Sequence, residues 1–145
     1  MLLVWLPTLV WLCVLASFST DTFSAEHTGT VLWRIVGFIY PGITAHQFEV
    51  LHFLVRKTAH FMCYGFLGFL AFFSWRVTLP APGRWNARWM WLALLLTLLA
   101  GSLDETHQLF VYSRTASVRD VMLDATGGIF FQIALWLVLR RKKPA

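Results

Sequence analysis

From Trp89 to Gln108 the chain reads WMWLALLLTLLAGSLDETHQ: an uncharged apolar run as far as Leu103, then Asp104, Glu105, His107 and Gln108 in quick succession. A hydrocarbon core ~30 Å thick is crossed by about 20 helical residues, so this stretch reads as a membrane helix whose polar tip reaches the water boundary. Comparable apolar blocks lie near Leu2 to Ser19, Ala59 to Trp75 and Val121 to Leu139. The fold class they define is all-α: a polytopic membrane protein, a bundle of four transmembrane helices. The expected spans are about 2–19, 59–75, 89–105 and 120–139, within one membrane domain covering 1–145.

Composition points the same way. Of 145 residues 58% are hydrophobic and only 13% charged, whereas soluble domains carry about a quarter charged residues. The net charge of +5 does not imply a nucleic-acid partner, because a third of the basic residues sit in the tail Arg140 to Lys143, directly after a span. That placement is a topology signal. Arg76, Arg84 and Arg88 mark the connection between the second and third spans as cytoplasmic too. Four spans then put both termini inside a bacterial cytoplasmic membrane. The connection from Thr20 to Val55 carries Asp21, Glu26 and Glu49 against Arg34 and is expected outside, although Arg56, Lys57, Arg114 and Arg119 fall on that side as well. The first block lacks a basic n-region and exceeds the usual apolar length of a cleaved leader, so a retained anchor is expected. Cys13 and Cys63 lie in apolar span sequence, with no disulfide framework or zinc spacing.

Between the first two spans, Thr30 to Tyr40 is apolar with Trp33, Arg34 and Tyr40 interspersed, and Pro41-Gly42 closes it. This suits a short amphipathic helix at the interface. The pattern restarts at Thr44, an N-cap candidate, and runs through Ala59 into the second span, giving a helix longer than the membrane is thick. Pro80, Pro82 and Gly83 make the connection Thr78 to Ala87 a turn.

Ionisable residues at membrane depth cost roughly 2.5 to 3.5 kcal/mol each and need an explanation. They form three groups here. Lys57, His60 and Tyr64 follow i, i+3, i+7 on the second span and share a face. Gly101, Asp104, Glu105 and Gln108 make a stripe on the third. Tyr112, Arg114 and Ser117 lead into the fourth, which carries Arg119, Asp120 and, one turn on, Asp124; Gly127 continues that face and would let a neighbouring helix approach closely. All three groups fall at the outer boundary in this topology. They predict one site: Lys57, His60 and Tyr64 facing Asp104, Glu105, Gln108, Ser117 and Asp120, with Arg114 above them on a loop. Opposite charges brought together reduce the cost of holding them at that depth.

The chain resembles the VanZ-like family of bacterial membrane proteins at Arg56-Lys57-Thr58-Ala59-His60-Phe61 with Tyr64, at Asp104-Glu105 with Gln108, and at Arg114, Ser117, Asp120 and Gly127 in the order R-x-x-S-x-x-D with a later G. The match extends over about the last two-thirds of the chain. It departs from the family pattern at Asp124, where asparagine is usual, and at Tyr112-Ser113, where Pro-Gly often precedes the arginine. The resemblance implies a multi-span envelope protein, and the namesake is associated with resistance to the glycopeptide teicoplanin. It brings no reaction with it.

Several functions fit these residues. The site could bind or modify an envelope group, with membrane lipids as neighbours and an anionic envelope lipid or wall precursor as ligand. It could equally be an architectural ion network that orients helices or supports a partner. Hydrolysis or transfer would use His60, Asp104 or Glu105 as general base with Lys57 and Arg114 on a phosphate or carboxylate, but no nucleophile motif is present. His60, Asp104, Glu105 and His107 contain metal-ligand types, yet on an ideal helix His107 points about 60° away from Asp104 and about 160° away from Glu105, and no metal or cofactor is expected. A transport path is disfavoured by the apolar inner halves of the spans.

Overall fold

The computed structural model describes residues 2–20, 25–110 and 117–140. Among them the chain forms five helices and no strand: α1 (Leu2–Phe18), α2 (Ala25–Ile39), α3 (Ala45–Thr78), α4 (Ala87–Gln108) and α5 (Val118–Leu139). Three of these, α3, α4 and α5, are long and apolar enough to cross a membrane. With 17 residues, α1 is apolar but shorter, about 26 Å from end to end. Large apolar side chains such as Leu3, Leu9, Leu99, Phe130 and Ile133 are exposed along these helices, as expected where lipid is the solvent.

Local chemistry sets the boundaries. Thr44 caps α3 with a reciprocal box: its hydroxyl accepts from the Gln47 N–H at 3.3 Å and its own N–H donates to Gln47 Oε1 at 3.0 Å. The helix then continues for 34 residues, roughly 51 Å and well beyond the hydrocarbon thickness. Asn86 caps α4 and Ser117 caps α5. Between α3 and α4 the chain turns at Gly83, whose φ of +90° suits glycine. The amphipathic segment expected over Thr30 to Tyr40 begins earlier than its pattern suggested, at Ala25.

Helix α3 is the hub and packs against every other helix. Its most extensive partner is α5, which runs parallel to it with α4 antiparallel against both. The α3–α5 seam is made of glycine. A Cβ on Gly127 would lie 2.2 Å from the Phe61 carbonyl oxygen, and one on Gly68 would lie 3.6 Å from the Cα of Gly128. Below this contact Gln132, fully buried, donates its Nε2–H to the Gly68 carbonyl at 2.8 Å. Ala71, Phe72, Trp89, Ala93, Leu135 and Leu139 fill the far end of the bundle.

Helix α1 lies antiparallel on α3 and is fastened by hydrogen bonds rather than by shape alone. Trp5 Nε1 donates to Thr78 Oγ1 at 2.9 Å, Thr8 and Ser74 share a hydroxyl contact at 2.9 Å, and Trp11 Nε1 donates to the Cys63 carbonyl at 2.9 Å. In an apolar surrounding no water competes for these groups, so such contacts fix the register of α1.

The glycine seam yields a direct prediction. Gly127→Ala forces α3 and α5 apart and lowers stability by about 1 to 3 kcal/mol, seen as a drop in melting temperature of the detergent-purified protein. Gly37→Ala, inside α2 at a position with nothing within 4 Å of the added carbon, does not lower the melting temperature.

Candidate functional site

The antiparallel placement of α4 brings its C-terminal end beside the N-terminal halves of α3 and α5, so the ionisable residues of all three helices collect at one end of the bundle. Lys57 Nζ pairs with Asp120 Oδ1, both side chains partly buried. One turn deeper, His60 Nδ1 meets Asp124 Oδ1 at 3.3 Å. Asp124 is 1% exposed, and this depth is possible because Gly101 on α4 has no side chain: a Cβ there would lie 3.3 Å from Asp124 Oδ2. The His60 and Tyr64 rings stack with centroids 6.1 Å apart.

On α4, Gln108 donates its Nε2–H to Asp104 Oδ2 at 3.0 Å. Glu105 reaches the other way: its Oε2 accepts the backbone N–H of Ser117 at 2.6 Å, tying the end of α4 to the start of α5. The Ser117 hydroxyl is occupied in capping, accepting from the Arg119 N–H at 3.2 Å. Glu105 Oε1 and Asp124 Oδ2 are buried and find no hydrogen-bond partner among the described residues.

The predicted residues therefore divide. Lys57 and Asp120 form one contact, Glu105 and Ser117 another, and Asp104 and Gln108 a third, while His60 and Tyr64 stack on each other. Arg114 lies outside the described residues. Asp124, absent from the predicted set although its spacing from Asp120 was plain, is the most deeply buried charge-bearing group of the cluster. His107 turns toward α1, where its Nδ1 lies 3.2 Å from Ser19 Oγ, and among the described residues no three His, Cys, Asp or Glu side chains group as a metal ion needs.

A cavity of about 270 Å³ opens beside this cluster. Its apolar wall comes from Leu15 and Phe18 of α1 with Ala59 and Cys63 of α3, and its polar end from His60, Tyr64, Asp104 and Gln108; Arg56, Ser19 and Thr28 complete the lining. Nothing in the sequence pointed to Leu15 and Phe18, because the register of α1 against α3 is set by contacts between residues more than fifty positions apart. Arg56, the first residue of the stretch that resembles the VanZ-like family, lines the cavity although it lies outside the predicted site.

A family model described as VanZ/LLP1 matches residues 2–140. No curated protein and no solved structure matches the chain.

The Lys57–Asp120 contact is testable by a double-mutant cycle. Lys57→Met and Asp120→Asn each lower the melting temperature, and the double variant loses less than the sum, with a coupling of about 1 kcal/mol. Strict additivity of the two single losses would show that the pair is not coupled.

Proposed function

The chain belongs to the VanZ/LLP1 family and is a VanZ-like membrane protein, and on that premise we propose that its cavity binds the polar headgroup of an envelope amphiphile, a lipid or a wall precursor, and thereby alters glycopeptide susceptibility. In this reading α1, α3, α4 and α5 are the four spans, α2 is the interfacial helix, both termini are cytoplasmic, and the polar end of the bundle faces outward in the bacterial inner membrane. The basic residues at Arg76, Arg84, Arg88 and Arg140 to Lys143 support that orientation. The short α1 reaches the far side by its register on α3, which carries Trp5 to the level of Thr78.

One observation carries the binding reading: a single cavity that is apolar along α1 and polar at Tyr64, Asp104 and Gln108. An occupant must have an apolar part and a polar part, which is the description of an amphiphile. An anionic headgroup would find Arg56 in the cavity lining.

A second reading is favoured for part of the cluster. Lys57–Asp120 and His60–Asp124 both bridge α3 and α5, and Glu105 joins α4 to the cap of α5. These contacts orient helices whatever the cavity does. The two roles then belong to different residues: α3–α5 bridges for architecture, Tyr64, Asp104 and Gln108 for the ligand.

Teicoplanin susceptibility of a host expressing the wild type, Asp104→Asn or Arg114→Ala, with membrane levels quantified, tests the function. Protection by the wild type and not by well-folded Asp104→Asn is expected; no protection by any of them removes glycopeptides from this protein's role. For the topology, single cysteines at His46 and Arg84 in a background lacking Cys13 and Cys63 are exposed to a membrane-impermeant maleimide on intact cells. Labelling at position 46 and none at 84 is expected, and the reverse overturns the orientation.

A further inference from the structure

The polar end of the cavity, made by His60, Tyr64, Asp104 and Gln108, holds one acidic side chain, and its chemistry narrows the ligand. Asp104 contributes a carboxylate, which when ionised can only accept. Gln108 gives one N–H of its amide to Asp104, which leaves its carbonyl oxygen and a second N–H. Tyr64 lines the same end. A phosphate or carboxylate placed against this end would meet the Asp104 charge, and like charges at a low-dielectric boundary repel strongly. A headgroup bearing N–H donors and a positive charge would not.

Arg56 supplies the opposite charge to the same cavity. It precedes His60 by one helical turn on α3, about 6 Å along the axis. A guanidinium has five N–H donors, enough to serve a phosphate beside a protein partner. The cavity thus has a cationic and an acidic side chain in one lining, with an apolar wall from Leu15 and Phe18 of α1. A zwitterionic lipid whose phosphate is separated from a primary ammonium by a short spacer reproduces all three features at once.

We infer that the cavity selects a primary-amine zwitterionic phospholipid headgroup of the phosphatidylethanolamine type, its ammonium on Asp104 and its phosphate toward Arg56. This rests on the headgroup-binding reading above and specifies which headgroup. The amine must be primary. A quaternary ammonium carries the same charge with no N–H, and so cannot donate to Asp104 and Gln108. Hydrogen bonds to a charged acceptor of this kind are worth a discrimination of about tenfold or more.

The test uses the purified full chain in detergent micelles, with short-chain phosphatidylethanolamine, phosphatidylcholine and phosphatidylglycerol added separately and binding read by native mass spectrometry. The expected order places phosphatidylethanolamine at least about tenfold ahead of the other two, with Asp104→Asn removing most of that preference. Equal binding of phosphatidylethanolamine and phosphatidylcholine overturns amine recognition while leaving headgroup binding intact. Preference for phosphatidylglycerol overturns it in favour of an anionic ligand, and binding of none of the three removes both the inference and the headgroup reading for phospholipids. Should Asp104→Asn fail to fold, the ranking by the unaltered protein decides the matter alone.

Discussion

The contact on which the rest of this bundle depends is the approach of α5 to α3 at Gly127, so close that a single methyl group would strike the Phe61 carbonyl oxygen. Helices in lipid gain little from hiding apolar surface, since the tails around them are as apolar as leucine. They associate where backbones can come near enough for dispersion and polar contacts to accumulate. Gly68 and Gly128 continue the approach deeper in the bundle, and Gln132 closes it with a hydrogen bond to the Gly68 carbonyl. Because the two helices run parallel in this register, Lys57 comes opposite Asp120 and His60 opposite Asp124.

That register also lowers the cost of burying so many ionisable groups among apolar helices. An isolated Asp124, almost without exposure, would be severely penalised; here it meets His60 on one side, and Gly101 leaves room for it on the other. Two of its neighbours are served differently. Glu105 accepts a backbone N–H at the start of α5, which removes one of the unsatisfied donors at that helix end, and Asp104 takes a side-chain amide from its own helix. The same few charges thus act partly as joints between helices and partly as the lining of a cavity.

The cavity itself is a product of α1. Its hydrogen bonds to α3 through Trp5, Thr8 and Trp11 hold Leu15 and Phe18 against the N-terminal half of α3, and these two side chains give the cavity its apolar wall. The ladder is polar because in lipid a donor that leaves its partner finds no water to replace it. A change in the register of α1 would therefore alter the cavity without touching any charged residue.

Much of this was legible in the sequence, for a definite reason. The long apolar blocks, the cap at Thr44, the continuous α3, the turn around Gly83 and the close approach at Gly127 all follow from spacing along one chain segment, where helical geometry converts position into direction. The grouping of Lys57, Asp104 and Asp120 at one end follows from counting spans. The sequence could not tell which acid each base would meet, that Glu105 would bond the backbone of Ser117 rather than a cation, or that Asp124 would be the deepest of the set. Nor could it place Leu15, Phe18 and Arg56 around one cavity. Those outcomes depend on the relative rotation and sliding of separate helices, which is decided by glycine contacts and hydrogen bonds between residues on different helices. No periodicity within a single segment encodes them.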